Sequence, residues 1–476
     1  MKFIKENGPH IKNSDTTSKI MTRFLISLIP IVCFVIFKNT VLVYFFTSET
    51  LISVLHPIFM IIVGVLTSFI SELLWFKLVN KTNIKTSFLE LYRSFSIIPG
   101  LLLALVLPIN TPLWIVAFGA FCGTIIGKML YGGFGQNIFN PALIGYLFIS
   151  VSYNALLGSP LNAYELDTLA GATPLTNLTS LNYFGTYDSI VGSYGTLLNF
   201  FSGTIPGTLG EVSKLLILIA FIYLVITKTI KWRIPTTYVT TVFVVTWIIG
   251  NSLGLGIWYP LFHILSGGLL FGAVFMATDP VTSPLTPIGQ VLHGISLGLL
   301  TVVIRFLTPY PEGVMTSILF MNMLVPLFDK IGVRLRYNIK RIYIPILIYL
   351  VITILLIINI ISNINNNKTN GIDDVGNKVK IIEIKKDGNK KIYNVTSKGW
   401  GTIKAEVEVV DKEIKSIIVT DKKDETQWNE LEKVDYIYKV ITNQKDINKL
   451  DAVSGSTFSS EAIKNIIKKV LSEELK

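Results

Sequence analysis

Cysteine, histidine and charged residues are all scarce in this chain of 476 residues. Two cysteines, Cys33 and Cys122, and four histidines form no pair or cluster with the spacing of a zinc or iron–sulfur site. Both cysteines and three histidines, His56, His263 and His293, stand in or beside apolar runs, where we expect core residues rather than metal ligands. Charged residues make up 15% and hydrophobic residues 51% of the sequence, which excludes an ordinary soluble protein.

Long apolar runs are present instead. A helix needs about 20 apolar residues to span a membrane. Eleven spans are predicted on this basis, at residues 24–46, 56–76, 94–108, 113–130, 144–157, 215–227, 234–250, 258–277, 291–307, 314–328 and 342–361. The net charge of +11 does not indicate nucleic acid, because the basic residues stand beside these runs as topology signals. With residues 1–23 as a cytoplasmic tail, only Lys38, Lys214 and Arg305 lie toward the outer side.

Two stretches between apolar runs are too polar to face lipid. Gly132–Ala142 reads GGFGQNIFNPA, and Thr278–Gln290 reads TDPVTSPLTPIGQ. Irregular backbone at membrane depth is tolerated where it lines a protein-enclosed cavity between half-helices. The stretches are therefore predicted to line a cavity, and a plain connecting loop is the alternative for the first. The candidate binding residues are Gln136, Asn137, Asn140, Thr278 and Asp279. For Asp279, a polar partner or ion-pathway residue and a simple helix cap are both open.

One short motif occurs twice. Asp167–Thr173 reads DTLAGAT and Asp451–Thr457 reads DAVSGST. Gly171 and Gly455 lack a Cβ, so that the backbone can turn sharply and a bulky group can approach. Small neighbours, which include Ala172, Ser454 and Ser456, leave the hydroxyls of Thr173 and Thr457 on open backbone. The second copy precedes a helix, whose N-terminus favours a phosphate; that Ser456–Ser460 only cap this helix is the alternative.

A soluble domain is predicted after the last span. Residues 362–377, rich in asparagine, are expected to be a flexible linker. Within residues 378–476, alternating patterns predict strands over 378–385, 403–410 and 413–420. An amphipathic helix follows, with Ile463, Ile466, Ile467 and Val470 on its apolar face.

Both motifs resemble the flavinylation motifs of Rnf complexes and of sodium-pumping NADH:quinone reductases. In that family a dedicated transferase links FMN, through its phosphate, to the last threonine. Residues 24–341 look like the membrane D subunit of Rnf, since they contain GGFGQNIFNPALIG, AGATPLT, PGTLGE, WRIP and MATDPVTSPLTPIGQ. Residues 378–476 look like the FMN-binding domain of the G subunit, with residues 342–361 as its membrane anchor. The resemblance implies covalent FMN on Thr173 and Thr457.

The resemblance also implies a fold and further contacts. It predicts a polytopic α-helical membrane protein, with a transporter-like inverted repeat and broken helices, joined to a small α+β domain. In that domain Trp400, between two glycines, and the pair Glu425–Thr426 are expected to contact flavin, although the family continues with Pro-Gly where this chain has Gln427–Trp428. A core position is the alternative for Trp400. A non-covalent flavin, FMN or riboflavin, is expected between the two polar stretches.

The expected function is that of an electron-transfer subunit, not catalytic alone, in an ion-translocating ferredoxin:NAD oxidoreductase. Its partners would be other Rnf-type membrane subunits, the FMN transferase and membrane lipid. Residues 158–213 contain no Lys or Arg, which favours the extracytoplasmic side of the cell membrane for Thr173. The span count places Thr457 there as well. A flavin relay for extracellular acceptors and a solute transporter or channel are the alternatives.

Overall fold

The fold is given by a computed structural model that describes residues 16–46, 51–153, 156, 173–180, 183, 187–211, 213–308, 312–337, 343–387, 390–398, 402–410, 413–422, 436–442 and 457–474. The chain divides into two units, Met1–Ser362 and Asn363–Lys476. The first is helical and the second combines a sheet with helices. Both classes agree with the predicted fold.

The helices of the first unit follow the apolar runs of the sequence. They are α1 (Thr17–Ile36, extended by turns over Phe37–Leu42 and Val43–Phe46), α2 (Leu51–Leu78), α3 (Ile84–Ser94), α4 (Ile97–Val106), α5 (Leu113–Ile125), α6 (Pro141–Ser152), α7 (Pro174–Ser180), α8 (Tyr187–Ile190), α9 (Leu197–Ser202), α10 (Lys214–Ile226), α11 (Arg233–Ser252), α12 (Trp258–Leu265), α13 (Leu269–Phe271, continued over Gly272–Met276), α14 (Pro287–Leu307), α15 (Val314–Tyr337) and α16 (Tyr343–Lys378).

Among the described residues, seven helices are long and apolar enough to cross a membrane. Two bent pairs raise this number to nine if each pair is one span: α3 with α4 (48°) and α12 with α13 (63°). The other two predicted spans, 144–157 and 215–227, correspond to α6 and α10, which have 12 and 13 residues. These two helices are shorter than the ~20 residues that a bilayer requires. The chain is a multi-pass membrane protein with broken helices.

Close helix contacts depend on glycine. Gly64 of α2 and Gly100 of α4 face each other, and a Cβ added at Gly100 would lie 2.0 Å from the carbonyl oxygen of Gly64. Small residues let the backbones of membrane helices approach in this way. The contact places α4, and with it the α3–α4 bend, against α2.

Three basic residues, Lys38, Lys214 and Arg305, were predicted toward the outer side, against the distribution of the other basic residues. All three are buried. Lys38 donates to the carbonyl oxygen of Ile205 (2.6 Å), Lys214 to that of Gly267 (2.7 Å) and Arg305 to that of His263 (2.7 Å). They are internal hydrogen-bond donors rather than topology signals.

The two cysteines differ from each other. Cys122 is buried as predicted, whereas Cys33 is exposed on the surface of α1. An apolar run in a spanning helix has a face toward lipid as well as a face toward the protein, and sequence alone did not separate them.

The second unit contains a four-stranded antiparallel sheet in the order β1-β2-β3-β4. Its elements are β1 (Val379–Asp387), β2 (Lys390–Lys398), β3 (Thr402–Val410), β4 (Glu413–Lys422), α17 (Tyr436–Thr442) and α18 (Thr457–Glu474). One face of the sheet packs on α18, whose Ile463, Ile466, Ile467 and Val470 are buried as predicted. Strand β2 was not predicted; its inward side chains Tyr393 and Val395 alternate with polar residues.

Two charged residues tie β2 to β3 on the outer face of the sheet. Lys390 Nζ lies 2.8 Å from Glu408 Oε1, and Ser416 Oγ lies 3.1 Å from Glu408 Oε2. The hydrogen bond from Lys390, followed by that from Ser416, lowers the pKa of Glu408 below its usual value. This exposed pair accompanies the register of β2 and β3, which the buried face of the sheet sets.

The predicted flexible linker is helical. Helix α16 starts at Tyr343 in the last predicted span and continues to Lys378, where β1 follows directly. Extending an existing helix adds one hydrogen bond per residue and avoids the cost of nucleation, so the polar residues 363–377 follow the apolar segment.

Replacing Gly100 with Ala is expected to destabilise the membrane unit by about 1–3 kcal/mol, because the new methyl group overpacks the α2–α4 contact. Thermal unfolding of the detergent-solubilised protein measures the change. Gly192→Ala is the matched control, since its Cβ would meet Asp188 Cβ at an ordinary 3.5 Å. Equal melting temperatures for the two variants would contradict the predicted contact.

Candidate functional site

The two polar stretches enclose a cleft, as the sequence predicted. About 520 Å³ of space in the cleft, open solvent included, is not filled by protein atoms. Its walls come from α1, the α3–α4 bend, the stretch before α6 and the stretch after α13. The lining residues are Met21, Phe24, Ser94, Phe95, Ile98, Pro99, Leu102, Lys128, Phe134, Asn137, Asn140, Pro141, Phe275, Asp279, Pro280 and Val281.

The first stretch turns on glycines and ends in a helix cap. Gly132, Gly133 and Gly135 have φ values of +110°, +93° and +88°, which residues with a Cβ rarely adopt. Asn140 Oδ1 then accepts from the N–H of Ala142 (3.0 Å) and so starts α6. The backbone N–H of Asn140 donates to the side-chain oxygen of Asn322 on α15 (3.1 Å), with that amide oriented by its hydrogen bonds.

The second stretch is held by an acidic residue of α15. Asp329 accepts from the backbone N–H groups of Leu285 (3.0 Å) and Thr286 (2.8 Å) and from the Thr286 hydroxyl (2.8 Å). Thr286 in turn caps α14 by accepting from the N–H of Gly289 (3.2 Å). Each stretch therefore leads into a helix that begins with proline after a polar cap. Of these helices, α6 has 12 residues and α14 has 21, so only α6 has the length of a half-helix.

The structure brings three of the five predicted cleft residues together. Asn137, Asn140 and Asp279 line the cleft. Asp279 also accepts from the Thr282 hydroxyl (3.1 Å), so that it both faces the cleft and braces its own turn. Gln136 is exposed and lies outside the lining, and Thr278 is buried with its hydroxyl donated to the carbonyl oxygen of Val274 (2.5 Å).

A buried ion pair that was not predicted contributes one of its members, Lys128, to the wall of the cleft. Lys128 Nζ lies 2.9 Å from Glu72 Oε2 and donates to the carbonyl oxygen of Ser94 (2.8 Å). The Ser94 hydroxyl also donates to Glu72. The paired side chains are 3% and 0% exposed. A buried charge needs a partner. Glu72, an acidic residue inside an apolar run, was therefore the sequence signal from which a buried ion pair could have been predicted.

Aromatic rings cover the remaining walls. Phe24 and Phe275 meet edge to face with centroids 5.7 Å apart, and Phe95 and Phe134 are tilted at 6.1 Å. Lys128 Nζ lies 5.7 Å from the centroid of Phe134. Flat apolar walls with a few amide, carboxylate and ammonium groups suit a planar heteroaromatic ring system.

Thr173 stands immediately before helix α7. Its Oγ1 accepts from the N–H of Thr176 (3.3 Å) and lies 2.7 Å from the Thr176 hydroxyl. The side chain is half-buried, whereas Pro174, Leu175 and Leu178 are buried. The predicted Asp167, Gly171 and Ala172 lie outside the described residues. The hydroxyl is therefore held at a fixed point on the membrane unit and is partly accessible.

Thr457 is the first residue of α18, so the second motif ends where a helix begins, as predicted. The other site residues predicted in this unit lie outside the described residues: Trp400, Glu425, Thr426, Asp451, Ser454, Gly455 and Ser456. The helix itself is anchored by its buried isoleucines on the sheet.

Histidines do not form a metal site in the described part of the chain, where no group of three or more His, Cys, Asp or Glu residues has the geometry to hold an ion. His263 and His293 are fully buried, and their ring nitrogens have no hydrogen-bond partner among the described residues. His263 packs at 4.7 Å from Tyr259 and 5.1 Å from Phe306, centroid to centroid. Both are core residues as predicted.

Comparison with known proteins gives two family matches. Residues 4–338 match the NQR2, RnfD, RnfE family, and residues 399–472 match the FMN-binding domain. The chain is 34% identical over 341 residues to the D subunit of the proton-translocating ferredoxin:NAD(+) oxidoreductase complex of Clostridium ljungdahlii, covering 71% of this chain and 97% of that protein. Identity to the D subunit of the Na(+)-translocating ferredoxin:NAD(+) oxidoreductase complex of Acetobacterium woodii is 33% over 338 residues, 71% and 95% of the two chains.

A third relative is the B subunit of the Na(+)-translocating NADH-quinone reductase of Yersinia pestis, 37% identical over 251 residues. The similarity covers 51% of this chain and 60% of that protein.

Removing one partner of the buried ion pair is expected to cost about 3–5 kcal/mol of stability, because the other charge is left buried alone. Lys128→Met should therefore unfold at a clearly lower temperature, and Glu72→Met/Lys128→Met should recover part of the loss. Unfolding in detergent measures both. Lys77→Met, at an exposed lysine of α2, is the control and should change little. A double variant no more stable than Lys128→Met would contradict the pairing.

Proposed function

Because the chain belongs to the NQR2, RnfD, RnfE family and also contains an FMN-binding domain, we propose that it is an electron-transfer subunit of an ion-translocating ferredoxin:NAD oxidoreductase of the Rnf type. Its relatives of similar length to the membrane domain are named as D subunits of such complexes. Here the D-like domain and the flavin domain share one chain. Electrons pass through FMN carried on Thr173 and Thr457.

The observation that carries the proposal is one motif ending in threonine in each of the two matched domains, with both threonines at the start of a helix. The geometry at Thr173 fits a phosphoester. Its side chain is half-buried and its oxygen already accepts from a backbone N–H, a contact that an ester oxygen retains. Small residues precede it in the sequence and leave room for a bulky substituent.

The chain's residues hold and position the carriers. FMN, when bound, supplies the ability to accept and release electrons. The phosphoester keeps it at a fixed point, with Thr173 on the rigid membrane unit and Thr457 on the sheet-backed helix α18. The chain has too few cysteines for iron–sulfur ligation, so electrons enter and leave through other membrane subunits of the complex.

The cleft is the proposed site of a non-covalent flavin, FMN or riboflavin. The ring pairs Phe95–Phe134 and Phe24–Phe275 supply apolar surface. Asn137, Asn140 and Asp279 supply the few polar groups that orient a ring. Gln136 and Thr278 are not assigned a contact with this flavin, because neither lines the cleft.

We place both threonines on the extracytoplasmic side of the cell membrane. Residues 158–213 carry no Lys or Arg, whereas the exposed residues Lys77, Lys81, Lys85 and Arg93 cluster between α2 and α4. An FMN transferase that acts on that side would attach FMN to the two threonines. The coupling ion stays open, since the two relatives of 34% and 33% identity are named for protons and for Na⁺.

Flavin fluorescence in a denaturing gel tests the covalent sites. The full-length protein, produced together with a flavin transferase, should give a fluorescent band, and Thr173→Val and Thr457→Val should each remove part of the signal. The double variant should be dark, because no other attachment point is proposed. Thr179→Val, which removes a threonine hydroxyl of the same helix that donates to the carbonyl oxygen of Thr176 rather than to Thr173, is the matched control. A fluorescent double variant or a dark native protein would refute the assignment.

Flavin released by denaturation tests the cleft. Asn137→Leu should release substantially less non-covalent flavin than the native protein, because it removes an amide of the lining, while the covalent band remains. Gln136→Leu, at the adjacent exposed residue, should release as much as the native protein. Equal release from both variants would contradict the cleft as the binding site.

A further inference from the structure

A second group of buried charges surrounds the turn Gly267–Gly268, between α12 and α13. It is separate from the cleft and from the ion pair of Lys128. Four of its side chains are almost completely buried, with exposed fractions of 6%, 2%, 1% and 1% for Lys38, Glu211, Lys214 and Arg305. The fifth, Glu312, is half-buried and lies in the connection between α14 and α15. We call these five residues the outer charge cluster.

The cations of the outer charge cluster are held by backbone carbonyls rather than by carboxylates. Lys214 Nζ donates to the carbonyl oxygen of Gly267 (2.7 Å) and to that of Glu211. Arg305 donates through Nη1 to the carbonyl oxygen of His263 (2.7 Å) and through Nε to that of Glu312 (3.1 Å). Their charges are therefore positioned by the fold and are only partly neutralised.

Several charged atoms have no hydrogen-bond partner in the part of the chain that the structure describes. They are both carboxylate oxygens of Glu211 and Nη2 of Arg305. Leaving charged groups buried and unpaired costs several kcal/mol. Ionisable residues buried inside a membrane protein are a functional signal for that reason.

The Gly267 turn, which two charged side chains of the outer charge cluster approach, also contacts Leu175, two residues after Thr173. A Cβ added at Gly267 would lie 2.8 Å from Leu175 Cδ1, 3.7 Å from Arg305 Nη2 and 3.8 Å from Glu312 Oε1. Leu175 is buried and follows Thr173 by two residues. The turn is thus packed between the Thr173 segment and the charges of Arg305 and Glu312.

We propose that the outer charge cluster sets the electrostatic potential at Thr173 and thereby the reduction potential of the flavin carried there. This inference rests on the proposed attachment of FMN to Thr173. When the flavin ring takes up two electrons and one proton, it gains one net negative charge. A buried cation nearby favours that state and a buried carboxylate opposes it, and the low dielectric of the interior extends both effects.

Shifts of the reduction potential in opposite directions would distinguish this electrostatic role from a structural one. Arg305→Gln removes a positive charge and should shift the reduction potential of the Thr173 flavin to a lower value. Glu312→Gln removes a negative charge and should shift it to a higher value, while the Glu312 backbone carbonyl that accepts from Arg305 remains. A defect of packing alone would move both variants in the same direction or neither.

The experiment is a redox titration of the full-length protein carrying Thr457→Val, followed by flavin absorbance. The titration of Thr173→Val/Thr457→Val, which retains only non-covalent flavin, is subtracted. Arg305→Lys is the matched control, because it preserves the charge while changing the geometry of the two carbonyl contacts. Its potential should stay close to that of the native side chain.

Two outcomes would overturn the inference. Shifts of the same sign in Arg305→Gln and Glu312→Gln, or an Arg305→Lys shift as large as that of Arg305→Gln, would assign the cluster to packing. Absence of the covalent band in the Thr457→Val background would instead refute attachment at Thr173, which is a failure of the proposed function. The gel is read before the titration, so the two failures are distinguished.

Discussion

Polar groups inside a lipid bilayer must find their partners within the protein, and the arrangement of the membrane unit follows from this constraint. The two stretches that leave helical geometry are each ended by a cap, Asn140 in one case and Thr286 in the other. The cations Lys38, Lys214 and Arg305 bind backbone carbonyls. Irregular backbone and buried cations therefore occur together, because the backbone carbonyl groups accept the hydrogen bonds that the cations donate.

The cleft and the outer charge cluster are joined by one short element. Helix α13, with its continuation to Met276, begins beside the Gly267–Gly268 turn and ends at the stretch that contains Asp279. Eight residues of helix span about 12 Å. Phe275 of this element lines the cleft, and Phe271 packs against it with ring centroids 5.0 Å apart. The two proposed flavin environments are thus adjacent parts of one packed unit rather than independent sites.

The sequence predicted the elements whose signal is local. Apolar runs located the spanning helices, and the polar stretches located the cleft because glycine, amides and proline are incompatible with lipid. Pairings between distant residues were not predictable, as with Glu72 and Lys128, which are 56 positions apart. The helical continuation of α16 was missed because its polar residues depend on the apolar helix that precedes them. Strand β2 was missed although Ile392, Tyr393, Val395 and Thr396 favour strands, because its alternating pattern is short.

Helix α15 contacts both walls of the cleft. Asn322 binds the backbone of Asn140 on one stretch, and Asp329 binds the backbone of Leu285 and Thr286 on the other. Asp329 follows Asn322 by seven positions, which is about two helical turns or 10 Å, and Pro326 lies between them inside the helix. The distance between the two stretches therefore depends on a single helix, α15. A shift of α15 as a whole would therefore move Asn140 and Thr286 together, whereas bending of the helix at Pro326 would change the distance between them.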